Sequence, residues 1–203
     1  MLITAAEPRK KNMTALFIDG EYAVSVDTVT FLSSGIRVGQ EIDDDELYEL
    51  IQSSNINRAK EKALCLIEYR ARTKKEIEDR LLPLYGEKAT GLALERLSEL
   101  GLIDDSAFAL EYADILINRK HYSRKRAEYE MIKKGIDRDI IEESLDSIDT
   151  DPVRQIKILL QTKYARRSSD EKTRAKTVNS LRAMGYNWSD INEAMNEVYD
   201  ELT

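Results

Sequence analysis

Few side chains in this sequence could do covalent or redox chemistry, and those few do not assemble into a recognisable site. The single histidine, His121, stands in Lys120-His121-Tyr122, and a lone surface-type imidazole is expected to be solvated or packed rather than catalytic. Cys65 lies in the apolar run Ala63-Leu64-Cys65-Leu66-Ile67, where a small buried hydrophobe is expected rather than a redox sensor. One cysteine excludes an internal disulfide and any Cys-based zinc site. Gly86-Glu-Lys-Ala-Thr-Gly91 imitates the start of a phosphate loop. Leu92-Ala93 follow where lysine and a hydroxyl residue would have to stand, so no nucleotide site results. Acidic pairs such as Asp104-Asp105 are plentiful, and nothing marks two of them as acid and base. No catalytic residue, metal or cofactor is expected. The chain reads as a binding protein, not an enzyme.

Positive charge is where the pattern lies. Arg70, Arg72, Lys74 and Lys75 form one cluster. Arg119, Lys120, Arg124, Lys125 and Arg126 form a second, and Lys163, Arg166, Arg167, Lys172, Arg174 and Lys176 a third. A row of such clusters beside helix N-termini suits phosphates or an acidic protein groove. Tyr69, Tyr122 and Tyr164 lie within the clusters, and exposed rings there could stack on bases. Trp188, beside Ser189 at a helix start, is expected to pack.

The elements that must position these clusters are of two kinds. Residues 14–18 and 22–26 are short β-prone runs separated by Asp19-Gly20, a two-residue hairpin signal. Val29–Leu32 reads as a third short strand. Asp43 and Glu46 have capping-box spacing ahead of Leu47, Leu50 and Ile51, so the acidic run marks a helix start and not a calcium loop.

From about residue 55 the apolar period becomes helical, in short segments. Sliding the chain by fifty residues superimposes Ser123 on Thr173, Met131 on Leu181, Gly135 on Gly185 and Ile141 on Ile191; a weaker register sets Thr73 on Ser123 and Leu81 on Met131. Each unit reads as a helix, a basic connection, a second helix opened by Ser or Thr, a turn at Gly and a third helix. Pro152 reads as the N1 proline of the last unit. The expected fold is therefore mainly α. Three tandem three-helix repeats (55–104, 105–149 and 150–203) form a curved, elongated solenoid behind a β-rich extension with a short helix (1–54). Regular stacking would align the basic junctions along one edge.

Composition agrees with a folded, helix-rich chain: 203 residues, 42% apolar, 34% charged, eight Gly and three Pro. No run is long enough to span a bilayer, and the first residues lack the features of a secretory signal, so a cytoplasmic location is expected. Net charge is −7. A protein that lived by gripping bare phosphate backbone would be basic overall. The balance points instead to a protein partner or a protein–nucleic-acid assembly.

Leu97-Ser-Glu-Leu-Gly-Leu-Ile-Asp-Asp-Ser-Ala-Phe108-Ala109 resembles the most recognisable motif of the RecX family, modulators of the recombinase RecA. Arg126-Ala-Glu-Tyr-Glu-Met-Ile-Lys-Lys-Gly-Ile136 is similar to that family's repeat signature. Residues 17–23 followed by 38–41 resemble the N-terminal extension of many members. Two departures stand out: Pro83 inside the second helix of the first repeat, where it should shorten or kink that helix, and His121-Tyr122 where many members have a glycine. The resemblance implies a monomeric, non-enzymatic regulator that binds RecA and its filament on single-stranded DNA. It would limit filament growth, ATPase and strand exchange, and so lower the DNA-damage (SOS) response. Only weak direct binding to DNA is implied. The residues alone leave open an independent helical-repeat DNA-binding module or a scaffold for another protein.

Overall fold

The computed structural model describes residues 1–165 and 171–200, the side chains of 171, 172, 199 and 200 excepted. It is mainly helical and divides into two compact units, Met1–Asp104 and Asp105–Thr203.

The first unit opens with an antiparallel sheet of β1 (Ile3–Arg9), β2 (Met13–Ile18) and β3 (Glu21–Asp27), in that spatial order. The β2–β3 turn is the expected one. Asp19 and Gly20 both take positive φ, 52° and 89°, as a type I′ turn requires. β1 was not anticipated: its Ala-Ala-Glu-Pro run has little β preference, and pairing with β2 from Ile3↔Ile18 to Arg9↔Met13 makes it a strand. Pro8 is tolerated because β1 lies at the sheet edge.

The third strand expected at Val29–Leu32 is instead a helix, α1 (Thr28–Ser33). Asp27 decides this. Its buried carboxylate accepts from both the backbone N–H and the hydroxyl of Thr30, at 2.8 and 2.9 Å, and so caps the first turn.

Next comes α2 (Asp44–Tyr69), started by the expected capping box: Glu46 N–H donates to Asp43 at 2.8 Å and Asp43 N–H donates to Glu46 at 3.0 Å. The helix runs on for 26 residues, through the 54/55 position and past Ser53-Ser54-Asn55. Ser54 and Asn57 anchor it there. Ser54 Oγ accepts from Asp27 N–H at 2.7 Å, and Asn57 donates to Thr30 Oγ1 at 2.7 Å. Leu16, Val26, Phe31 and Leu50 form the small core between sheet and helices.

α3 (Lys74–Glu99) follows, capped by Thr73. The kink expected at Pro83 falls three residues later. Gly86, at φ 74° and ψ 173°, breaks the helix into two limbs, because glycine enters that region without a Cβ penalty. The C-terminal half of α2 and the two limbs of α3 enclose Ala59, Ala63, Ile77, Leu81, Ala93, Leu94, Leu97 and Ile103. Cys65 is exposed, contrary to expectation. At 100° per residue, a helix that buries Ala59 and Ala63 turns position 65 away from the core, so the apolar run wraps around the helix instead of marking its buried face.

The second unit holds two further bundles. α4 (Asp105–Asp114) continues into a π-helical turn, Ile115–Arg119, and packs with α5 (Arg124–Lys133) and α6 (Arg138–Asp146). The core there is Ala109, Ala113, Leu116, Ile117, Ala127, Met131, Ile136, Ile141 and Leu145. The last bundle consists of α7 (Pro152–Gln161), α8 (Glu171–Ala183) and α9 (Trp188–Asp200) around Ile156, Leu159, Leu160, Leu181, Ile191 and Ala194. Pro152 is the helix-opening proline, and Asp151 caps α7 by accepting from Arg154 N–H at 3.1 Å.

The fifty-residue register is physical: Leu81, Met131 and Leu181 are each completely buried. Ser123 caps α5 as Thr73 caps α3, whereas Thr173 lies inside α8 rather than at its start. Trp188 is 59% exposed at the first turn of α9, where packing was expected.

The two bundles of the second unit are keyed together by three contacts. Ser123 N–H donates to Met184 O at 3.0 Å. The buried Tyr186 hydroxyl donates to His121 O at 3.0 Å and also contacts Gln155 Oε1 at 2.8 Å. Gly185, at φ 92°, brings its backbone against α5 so closely that a Cβ would stand 2.7 Å from Arg126 Cβ and clash with Ser123 Oγ. His121 itself holds φ 54°, a conformation in which glycine is at ease. It serves as part of a bundle connection.

Candidate partner-binding surface

In the first unit, the α2–α3 connection places Arg70, Arg72, Lys74 and Lys75 around a capped helix start. Arg70 makes a two-pronged ion pair with Glu76, both contacts at 3.0 Å, and donates to Ala71 O at 2.8 Å. The Glu76 hydrogen bonds hold its guanidinium above the usual arginine value. Arg72 donates from Nε to Leu66 O at 3.0 Å. Partial burial pushes its pKa down, and the nearby Arg70 and Arg80 push it the same way. Lys75 sits between Glu78 at 3.0 Å and Asp79 at 3.1 Å, and those carboxylates raise its pKa. Lys74 is exposed at the helix start. Tyr69, 83% exposed, projects beside this group and leaves its ring open.

In the second unit, the π-helical turn and His121 carry the chain to Ser123, whose hydroxyl accepts from Arg126 N–H at 3.2 Å. Arg119 lies 3.8 Å from Asp114, Arg124 is ion-paired with Asp146, and Arg126 with Glu130 at 2.6 Å. The Arg126 guanidinium also lies over the rings of Tyr122 and Tyr129, 5.6 and 5.5 Å from their centroids. Lys120 stands 5.8 Å from the Tyr122 ring centroid, and Lys125 is exposed.

In the last bundle, Lys163 lies 5.4 Å from the Tyr164 ring centroid. That ring is not available to a base: Tyr164 is buried, with its hydroxyl 2.6 Å from Ser180 Oγ. Arg174 and Lys176 are exposed on α8. Arg166, Arg167 and the Lys172 side chain lie outside the described residues.

The first two clusters thus sit at helix junctions, and many of their cations already have an acidic neighbour; of the third, Lys163 follows α7 while Arg174 and Lys176 lie within α8. Within the second unit, the structure also brings together residues that the sequence reading passed over. An open groove of about 450 Å³ runs between α5 and the end of α8, lined by Lys125, Arg126, Glu128, Tyr129, Ile132, Arg182, Ala183 and Gly185. Tyr129 and Arg182 were not singled out from sequence. Arg182's place three residues before the repeat glycine was the one available signal. Among the described residues no group of three or more His, Cys, Asp or Glu could hold a metal ion. No helix among them is long and apolar enough to cross a membrane.

Three-helix bundles repeating every fifty residues behind a small N-terminal sheet define a helical-repeat protein with charge gathered at its inter-helix connections. Residues 104–145 match the family described as RecX, second three-helix domain. A curated relative named Regulatory protein RecX, from Clostridium acetobutylicum, is 31% identical across 97% of this chain and 94% of its own length. Another, from Caldanaerobacter subterraneus subsp. tengcongensis, is 34% identical over 77% of this chain and 82% of its own. A crystal structure of regulatory protein RecX shares the fold, with TM-score 0.67 at 21% identity over 96% of this chain and 98% of that one. RecX from Lactobacillus salivarius aligns at TM-score 0.61 and 28% identity over 71% of this chain and 97% of that one. The chain belongs to the RecX family.

Proposed function

We propose that this protein binds RecA and the RecA filament on single-stranded DNA, as a cytoplasmic monomer, and restrains filament growth, ATPase and strand exchange without catalysing a reaction itself. The observation that carries this reading is the near full-length likeness to proteins named Regulatory protein RecX. The cations of the three helix junctions are the contacts we assign to it, from Arg70 to Lys176. Those of the first two clusters lie beside the starts of α3 and α5, where backbone N–H groups add to the positive field. The chain as a whole, at net −7, disfavours coating free DNA and favours a surface where protein and phosphate occur together.

RecA ATPase on single-stranded DNA, titrated with this chain, is the test. Inhibition that saturates at sub-stoichiometric or equimolar chain supports the reading. Reversing two exposed junction cations, Arg124→Glu with Arg174→Glu, is expected to raise the half-inhibitory concentration by roughly tenfold, about 1.4 kcal/mol of binding. Unchanged RecA ATPase at every ratio, together with tight salt-sensitive binding of duplex DNA by the chain alone, would favour an independent DNA-binding module instead.

A further inference from the structure

The groove between α5 and α8 has a composition that narrows what can fill it. Its apolar lining is Ile132, Ala183 and Gly185 together with the Tyr129 ring; Ile132 is 42% and Tyr129 50% exposed. Lys125 and Arg182 are exposed at its rim, and neither is ion-paired among the described residues. Arg126 is committed elsewhere, to Glu130 and to the rings of Tyr122 and Tyr129. Glu128 also lines the groove, so with Arg126 paired to Glu130 the two rim cations outnumber the one open carboxylate; the occupant that fits brings negative charge to Lys125 and Arg182 and an apolar group to cover Ile132. A polynucleotide meets only the first demand. Its bases would need the face of Tyr129, which already holds the Lys133 ammonium 4.7 Å and the Arg126 guanidinium 5.5 Å from its centroid. A polypeptide segment with carboxylates flanking a leucine-like side chain meets both.

We propose that this groove docks a short acidic segment of the partner protein, its carboxylates on Lys125 and Arg182 and an aliphatic side chain over Ile132. The proposal rests on the reading of RecA as that partner, and it names which chemistry of the partner this face recognises. The groove is built into the repeat junction. Gly185, just past the end of α8, approaches α5 closely enough that residues of both helices line it.

Two measurements on the full chain decide it. In the first, p-benzoylphenylalanine replaces Tyr129, or Tyr22 on the sheet as a control. The chain is irradiated with RecA assembled on single-stranded DNA, and the adduct is mapped by mass spectrometry. A crosslink from position 129 to a RecA segment rich in Asp and Glu and carrying an aliphatic residue is the expected result. A crosslink to the oligonucleotide, to a basic or neutral segment, or to nothing overturns the proposal. In the second, Lys125→Glu with Arg182→Glu is expected to lower retention of RecA filaments at least tenfold with an unchanged circular dichroism spectrum; undiminished retention also overturns it. If the parent chain retains no RecA, the functional reading fails and takes this proposal with it. If RecA is retained but the 129 adduct or the double variant behaves otherwise, the groove assignment alone fails.

Discussion

Replacing Gly185 by alanine tests how the two bundles of the second unit are joined. Three costs arise at once. At φ 92° an L-residue sits in a region it rarely adopts, which costs about 1–2 kcal/mol. The new methyl would stand 2.7 Å from Arg126 Cβ and would press on Ser123 Oγ, so α5 must shift, at the roughly 1–3 kcal/mol typical of overpacking. Ser123 Oγ is also the α5 cap, and displacing it endangers a further ~1 kcal/mol. The expected loss is therefore about 3–6 kcal/mol. Gly101→Ala is the control. It has a similar φ of 68° but nothing within 4 Å of its Cβ, so about 1–2 kcal/mol is expected. Urea unfolding followed by circular dichroism measures both. The contact is isolated by a cycle with Ser123→Gly, which removes the crowded hydroxyl and its Cβ. The double variant should lose less than the two single losses added. Equal losses for Gly185→Ala and Gly101→Ala, or strict additivity in the cycle, would refute the close approach as the reason glycine stands at 185.

Three further outcomes follow from the same contacts. Tyr186→Phe is expected to cost about 1–2 kcal/mol at neutral pH by leaving His121 O and Gln155 without the buried hydroxyl, read from the urea midpoint. Burial pushes the Tyr186 phenol well above its ordinary value of 10.0, so its contribution is complete below that pH and is lost as pH climbs towards the folded-state value. The parent should therefore lose more stability than Tyr186→Phe between about pH 9 and 11; parallel curves would contradict this. His121→Gly, at φ 54°, is expected to raise stability by roughly 0.5–1 kcal/mol in thermal unfolding, because strain at that residue is relieved. Asp43→Ala removes one half of the capping box and is expected to cost about 1 kcal/mol in the unfolding of the first unit.

Much of the fold could be read from residue spacing, because several of its signals are local. Asp19-Gly20 announces the β2–β3 hairpin by the φ values that pair prefers, and Asp43 with Glu46 announces α2 by a reciprocal cap. The fifty-residue register finds Leu81, Met131 and Leu181 because burial repeats with the bundle. What escaped was set by partners distant in sequence. β1 is a strand only because β2 pairs with it. Val29–Leu32, β-prone by residue type, becomes helical under the Asp27 cap. The continuity of α2 across the 54/55 position is held by Ser54 and Asn57, which bond to Asp27 and Thr30. Of the site, the junction cations were legible as clusters. The carboxylates that pair with them from a neighbouring helix, such as Asp146 with Arg124, were not, and neither was the groove that joins Tyr129 to Arg182.

Those resident carboxylates set the terms on which any visitor is admitted. Glu76, Glu78, Asp79, Asp114, Glu130 and Asp146 already occupy cations at the first two junctions, so at those cations an incoming anion swaps places with a tethered one, and bare charge is left to rim cations such as Lys125 and Arg182. Attachment by exchange gains little per contact and depends less steeply on ionic strength than the number of lysines and arginines would suggest. It is also readily undone, since the displaced side chains stay within reach to return.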